Sequence, residues 1–234
     1  MRHFIFISLF CVPYFLFAQS IEADRPNQTQ SSSVVPAGAF QWECGFSGTW
    51  TPGFGGNIQT LEMPNALFRV GLSKRIEFRL EHQISRIDHR AWDEIDVLAR
   101  GTRDVQLGAK LSLFEREGKK IRVAYLGHVV APSGEEEFRG DWGMVNKLCV
   151  SHDVGSDWSL GYNFGADLLR GSSIATYSLA MGRRINDRLG LYFEPYGTHD
   201  LARGSHMASV DAGITFLSSD QWQWDLSYGT GLNH

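Results

Sequence analysis

The sequence predicts an all-β fold, a transmembrane up-and-down antiparallel β-barrel of about twelve strands, and three observations lead to it. In the run Trp158 to Leu168 every large apolar side chain falls on one face, and the other face carries only Ser159, Gly161, Asn163, Gly165 and Asp167. A soluble sheet sets long charged chains opposite its crowded face. A small, Gly-rich, polar face suits a barrel lumen and leaves the crowded face for lipid. About ten residues of such alternation is the length a tilted strand needs to cross an outer membrane. Further, about eleven segments of this kind succeed one another with no competing helical period. The connections between them alternate between short and long, as turns on the periplasmic side and loops outside would.

Residues 1–18 read as a cleaved signal peptide. Arg2 and His3 precede an apolar run from Phe4 to Phe17 that is too short, and too soon followed by polar residues, for a stop-transfer helix. Cys11 stands behind the bulky Phe10 and inside that run, which argues against a lipoprotein signal. About 215 residues remain, enough for one domain, and the formal charge of −4 becomes about −5 once Arg2 is removed. Residues 19–36 form a polar segment without an apolar period. Asp24, Arg25 and Pro26 admit two readings there, a plug folded into the lumen with its charges on wall charges, or an ordinary periplasmic tail. Residues 37–234 are assigned to the barrel.

Within that barrel, strands are expected near Phe40 to Trp50, Leu61 to Leu72, Arg75 to Ile84, Asp104 to Leu113, Ile121 to Ala131 and Trp142 to His152. Five more follow at Trp158 to Leu168, Ala175 to Arg184, Leu189 to Thr198, Ala208 to Phe216 and Trp222 to Leu232. Long external loops are expected at Thr51 to Thr60, Asp88 to Arg103, Pro132 to Asp141, Arg170 to Ile174 and His199 to Met207. Trp42, Trp50, Trp142, Trp158, Trp222, Trp224, Tyr177 and Tyr228 fall near segment ends on the outward phase, where rings would occupy the headgroup zone. Cys44 points outward and Cys149 inward, so no disulfide is expected. Gly204-Ser205-His206-Met207 has the look of a cloning scar, yet its neighbours continue in phase into Val210, Ala212 and Ile214, and it is read as native. Eleven strands leave the last one rising and unclosed. A twelfth, C-terminal strand is therefore expected to be missing.

Several short elements in this order resemble one family, the outer-membrane transporters named after the meta-pathway of phenol degradation. They are Asp24-Arg25-Pro26-Asn27 with Val35-Pro36-Ala37-Gly38, Leu67-Phe68-Arg69-Val70-Gly71-Leu72 with Ile76-Glu77-Phe78-Arg79, Ala131-Pro132-Ser133-Gly134, Tyr162-Asn163-Phe164-Gly165, Glu194-Pro195-Tyr196-Gly197 and Asp211-Ala212-Gly213. The resemblance covers nearly the whole mature chain. It implies a secreted outer-membrane barrel of a Gram-negative bacterium and a transporter role without a defined substrate. The family name reflects gene neighbourhood and does not by itself assign phenols.

Charge collects on the inward phase. Glu43, Arg69, Arg75, Glu77, Arg79, Glu81, Asp104, Lys110, Arg122, Lys147, Asp167, Arg184, Glu194, Asp211 and Asp225 are all expected to line the lumen. Two readings stand open, a structural lattice of cross-strand ion pairs and a hydrated path whose charges select solutes. Catalytic patterns are absent: no His-Glu-x-x-His, no Gly-x-Ser-x-Gly elbow, no phosphate loop and no clustering of metal ligands. His82 and His152 face lipid on this phasing. His128 faces inward, with Ser112 or a carboxylate as expected partner, and is read as a wall residue.

The function expected is that of a porin or transporter for small solutes, hydrophobic or aromatic ones included, in the outer membrane, with no cofactor, no metal and no enzymatic activity. A barrel-embedded hydrolase and a structural or adhesion barrel remain the alternatives. Expected partners are the lipid bilayer, small-molecule solutes and the outer-membrane insertion machinery. Net acidity without basic, aromatic-interleaved stripes excludes nucleic acid.

Overall fold

A computed structural model describes residues 21–24, 28–91, 94–116, 121–169 and 171–233. The expectations for the signal peptide and for Arg25 and Pro26 lie outside the described residues. Twelve strands form one antiparallel sheet: β1 (Phe40–Gly53), β2 (Gly56–Gly71), β3 (Ile76–Ala91), β4 (Glu94–Thr102), β5 (Val105–Arg116) and β6 (Ile121–Ala131), then β7 (Gly143–Val154), β8 (Trp158–Leu169), β9 (Ser172–Arg184), β10 (Leu189–Asp200), β11 (His206–Ser219) and β12 (Trp222–Gly231). Each strand pairs with its neighbour in chain order, except that β3 pairs with both β4 and β5. The path runs from β1 to β12, and these two are the edges.

The alternation of the sequence reappears as an inverted burial pattern. On β8 Phe164 is 59 % exposed while Asn163 beside it is 2 % exposed. On β10 Phe193 is exposed and Glu194 fully buried, and on β7 Leu148 is exposed and Cys149 fully buried. Apolar rings thus face outward and polar chains inward. The eight Trp and Tyr rings expected at an interface are all exposed. Trp158 and Trp222 stand at strand starts on the short-turn rim, and Trp142 just before β7 on the other rim. The two cysteines hold the expected faces, Cys44 exposed and Cys149 buried, and both are free.

The sheet curls, and the contacts of the N-terminal segment require it. In a flat sheet β1 and β10 would lie eight strand spacings apart, about 38 Å at about 4.8 Å each. Yet the Asp24 amide donates to Glu43 on β1 and the Thr29 amide to Glu194 on β10. Five residues of extended chain span at most about 18 Å. Both bonds can form only if the wall wraps around the segment.

All eleven predicted segments are strands, and the largest departures are at their outer ends. The predicted loop Thr51 to Thr60 is instead the tip of a hairpin that turns at Phe54-Gly55, with Gly53 paired to Gly56. The predicted loop Asp88 to Arg103 contains the end of β3 and the whole of β4, paired from Ile84–Thr102 to Ala91–Glu94. His206 to Met207 and Ser172 to Ile174 likewise belong to strands. The cause is physical: ladder hydrogen bonds continue where the outward apolar band ends, and residues polar on both faces lose the apolar alternation that identifies a strand. Of the predicted long loops only Pro132 to Asp141 remains one. The count reaches twelve because β4 continues the line of β5 along β3 after a break at Arg103-Asp104; the wall is still eleven lanes wide, and β4 does not stand in for the closing strand expected beside β1.

β4 pairs with β3 alone, while the outer end of β3 is also paired with β2, from Thr60–Ile87 to Asn57–Arg90, and β2 there keeps β1 as its other neighbour. Replacing residues 88–98 by Asn-Gly, a two-residue turn joining the cross-strand pair Ile87 and Ala99, should leave a folded, heat-modifiable sheet. Loss of the folded band on an unheated gel would show that the extension is needed to close the fold.

Candidate functional site

The concave face is occupied by the chain's own N-terminal segment. Ile21 lies at the short-turn rim, residues 28–32 reach the middle of β7, β8, β9 and β10, and Ala37 returns to the rim beside Gly71 at the end of β2. A segment without secondary structure must find partners for its amides, and here wall side chains supply them. Glu194 accepts from the amides of Gln28 (2.8 Å) and Thr29 (2.5 Å). Asn163 accepts from the Gln30 amide (2.6 Å) and donates to the Gln30 carbonyl (3.0 Å). The Thr29 hydroxyl donates to Ser178, the Ser32 amide to Ser151 and the Val35 amide to Glu77. Two glycines make room for it. A Cβ on Gly71 would sit 2.0 Å from the Pro36 carbonyl oxygen, and one on Gly161 3.2 Å from the Thr29 methyl.

At the centre is a buried ion cluster. Arg69 on β2 and Arg79 on β3 stand directly opposite each other, and Lys110 on β5 is paired in register with Glu77. Like charges in such positions repel, so carboxylates must lie between them. Glu77 Oε1 accepts from Arg69 Nε and Arg79 Nη1, both at 2.8 Å. Glu43 accepts from Arg69 Nη1 at 2.9 Å. The third carboxylate comes from the segment: Asp24 Oδ2 accepts from Arg79 Nη1 and Lys110 Nζ, both at 2.6 Å, while its Oδ1 takes the Ser31 amide. Three cations thus meet three anions, and the balance fails without Asp24. Burial alone would push the Asp24 carboxyl up, but Arg69, Lys110 and Arg79 together hold it well below the usual carboxylate range.

The remaining predicted residues divide by height. Asp211 is buried opposite Glu194, and its Oδ1 has no hydrogen-bond partner. Glu81, Lys147, Asp167 and Asp225 are half-buried on the same inner phase, with Asp225 accepting from Gln223. Arg122 reaches Glu22 at 3.6 Å and Asp153 at 3.7 Å. One residue departs from the expectation: Arg75 precedes β3, so its side chain is exposed on a turn, the inward phase having been extrapolated one residue beyond the strand. Arg184, paired with Gly190 at the end of β9, lines the mouth at the short-turn rim, 3.6 Å from Asp157. Asp104 sits in the break between β4 and β5, where it lines the mouth on the long-loop side and its carboxylate organises the 132–142 loop by accepting the amides of Ser133, Gly134 and Gly140.

His128 is buried, as an inward residue should be, but neither Ser112 nor a carboxylate is its hydrogen-bond partner. Arg79 Nε donates to its Nε2 at 3.2 Å and its Nδ1 lies 3.3 Å from Gln106 Oε1, an arrangement that selects the neutral Nδ1–H tautomer. The polar residues missed in the sequence are Asn163, Ser178 and Ser151. They carry no charge, and on the small-residue face they look like spacers. The usable signal was the segment itself, whose unpaired amides demand acceptors across the lumen.

These features define a class: a curled antiparallel sheet with an apolar exterior, a charged interior and its own N-terminal segment bound inside. The chain belongs to the family described as "Putative MetA-pathway of phenol degradation", whose model matches residues 23–234. Its fold is similar to the crystal structure of an outer membrane channel from Pseudomonas putida F1, with a TM-score of 0.63 over 86 % of this chain and 90 % of that one, at 12 % sequence identity. No curated protein matches the sequence.

Removing Asp24 leaves a buried cation without its partner, a loss of about 3–5 kcal/mol in docking of the segment. Asp24→Ala should therefore accelerate amide exchange at Ser31 to Val35 strongly while leaving strand amides protected. Since the Asp24 pKa is depressed, its contribution is complete above the ordinary Asp value of about 4 and is lost only as pH falls through the lower folded value. Segment exchange, corrected for its intrinsic pH dependence, should accordingly be flat from neutrality down to pH 5; a release between pH 5 and 7 would contradict the assigned pairing.

Proposed function

We propose that the protein is an outer-membrane channel for small solutes and that residues 22–35 are its plug. The observation that supports this reading best is the division of the interior. One cavity of about 610 Å³, lined by Ile21, Ser159, Arg184, Tyr192, Thr215 and Gln223, lies at the short-turn rim, and another of about 390 Å³ lies on the long-loop side. The docked segment and its ion cluster lie between the two mouths. Side chains lining a path, rather than a packed apolar core, are what channels present to solute. The family and the fold both favour this role, and the inverted burial pattern favours a lipid-facing exterior. The signal peptide would deliver the chain to the periplasm, and insertion machinery would place it in the outer membrane. Hydrophobic or aromatic cargo fits the family description; the solute is the finer question.

Two measurements test the reading. In planar bilayers the wild-type chain should be silent or show small steps, whereas deletion of residues 22–35 should give larger steps, because Arg69, Arg79, Lys110, Glu43, Glu77 and Glu194 then face water. Arg79→Gln in that background should shift the reversal potential toward cation preference, and Arg75→Gln should leave it unchanged. Equal conductance with and without the segment rules out the plug. Independently, Phe164→Arg, at mid-strand on the outer face, should destabilise the protein in liposomes by about 2–4 kcal/mol in urea unfolding. A neutral effect would remove lipid from that face.

A further inference from the structure

The segment inside the curl is held between two ends of opposite charge. At one end its Asp24 carboxylate lies among Arg69, Arg79 and Lys110, with bonds of 2.6 Å to Arg79 Nη1 and Lys110 Nζ. At the other end the Glu194 carboxylate takes two backbone N–H groups, those of Gln28 and Thr29, at 2.8 and 2.5 Å. Asp211 stands opposite Glu194 in the β10–β11 ladder, so this end of the wall is acidic, and no described cation is ion-paired with either residue. Between the two ends Asn163 accepts from the Gln30 amide and donates to the Gln30 carbonyl, a pair of bonds that holds a peptide backbone whatever its side chains. Ser151 likewise accepts the Ser32 amide. The wall thus recognises peptide more than it recognises this sequence.

The two ends lie close together. Asp24 Oδ1 accepts the Ser31 amide at 2.7 Å, and the Thr29 amide on Glu194 is two residues away, so carboxylate and donor are separated by at most about 10 Å. That is the reach of an extended tripeptide from its ammonium to its carboxylate, at about 3.3–3.6 Å per residue. We propose that the interior between Lys110 on β5 and Glu194 on β10 is a binding site for short peptides with free ends, and that the N-terminal segment occupies it as a tethered stand-in. The carboxylate of such a peptide takes the place of Asp24 on Arg79 and Lys110, and its ammonium takes the place of the Gln28 and Thr29 amides on Glu194. An ammonium suits that end better than amides do, because two carboxylates face it and charge-assisted bonds are the stronger ones. A solute that supplies the same two groups as the segment displaces it and so opens its own path. The inference rests on the channel reading and deepens it by giving the interior a polar solute class, in contrast to aromatic cargo.

The test uses the full mature chain in lipid nanodiscs, with trialanine, N-acetyl-trialanine and trialanine amide as probes followed by ligand-observed NMR. Asp24→Ala, which vacates the cations, should bind trialanine at least about tenfold more tightly than the wild type, where Asp24 competes. In that variant the acetylated probe lacks the ammonium and the amidated one the carboxylate, and each should bind at least about tenfold more weakly than trialanine. Adding Glu194→Gln should erase the preference over the acetylated probe and keep the preference over the amidated one, a split that a merely loosened interior does not produce. The proposal is overturned if either blocked probe binds Asp24→Ala as tightly as trialanine, if wild type and Asp24→Ala bind trialanine equally or not at all, or if the discrimination against the acetylated probe survives Glu194→Gln. Asp24→Asn replaces Asp24→Ala if the latter does not fold, and the three probes on the single variant decide the matter if the double variant does not. The conductance of the segment deletion is a separate readout: silence there with intact peptide binding rejects the channel and leaves the site, and conductance without binding does the reverse.

Discussion

Arg69 facing Arg79 across the β2–β3 ladder, with Lys110 one strand further on, is the constraint on which the interior depends. All three side chains are at most 1 % exposed. Three buried cations in one patch would be prohibitive without anions, because a charge stripped of water needs both a partner and hydrogen bonds. Among the described residues of the wall, Glu43 and Glu77 are the carboxylates bonded to Arg69 and Arg79. The third anion must come from elsewhere, and the N-terminal segment brings it. Once Asp24 is fixed, the path of its neighbours follows: Ser31 bonds back to it, Gln30 reaches Arg79, and the Ser33 carbonyl receives Arg69 and Lys110.

The same constraint explains why the protein has so small an apolar interior. Ala124, Leu126 and Cys149 are its buried hydrophobic cluster among the described residues. Val35, Ala66, Leu67, Val130, Val150 and Tyr192 are also buried, and a soluble domain of this size could not be stable on so few apolar residues. Here the hydrophobic surface has been moved to the outside of the curl, and the interior is held by charge-assisted bonds. Those bonds are directional, so they fix the register of a segment that has no secondary structure of its own. They also account for small residues facing inward, since Gly71 lets the Pro36 backbone approach and Gly161 leaves room for the Thr29 methyl.

Legibility in the sequence followed the outward apolar band. Where a strand is apolar on its outer side and polar on its inner one, alternation marks it residue by residue, and Ile121 to Ala131 and Trp158 to Leu168 could be delimited almost to the residue. Beyond that band the hairpins continue through Thr51 to Thr60 and Asp88 to Arg103, but Gly, Asn, Thr and charged residues there make both faces polar and resemble loops. The inward face of Arg69, Glu77, Arg79 and Lys110 was legible for the same reason as the strands. Their partners were not. Pairing depends on register, and a sequence period of two is indifferent to whether Arg69 meets Arg79 or slides two residues along. Asp24 could be suspected of pairing wall charges, but its three cations lie 45 to 86 positions away in the chain.

On the proposed channel reading, a plug held by ions differs in kind from one held by apolar packing. Withdrawing an apolar segment would uncover a dry wall that repels water and small ions, so the opened lumen would remain a barrier. Withdrawing residues 22–35 uncovers Arg69, Arg79, Lys110, Glu43, Glu77 and Glu194, all of which hydrate. Part of the docking energy is therefore returned as solvation of the wall and of the segment's own amides. Buried ion pairs are poor sources of net stability for this reason, although they discriminate sharply between correct and incorrect geometry. In a gate those two properties belong together: the closed position is unique, and the open one is wet.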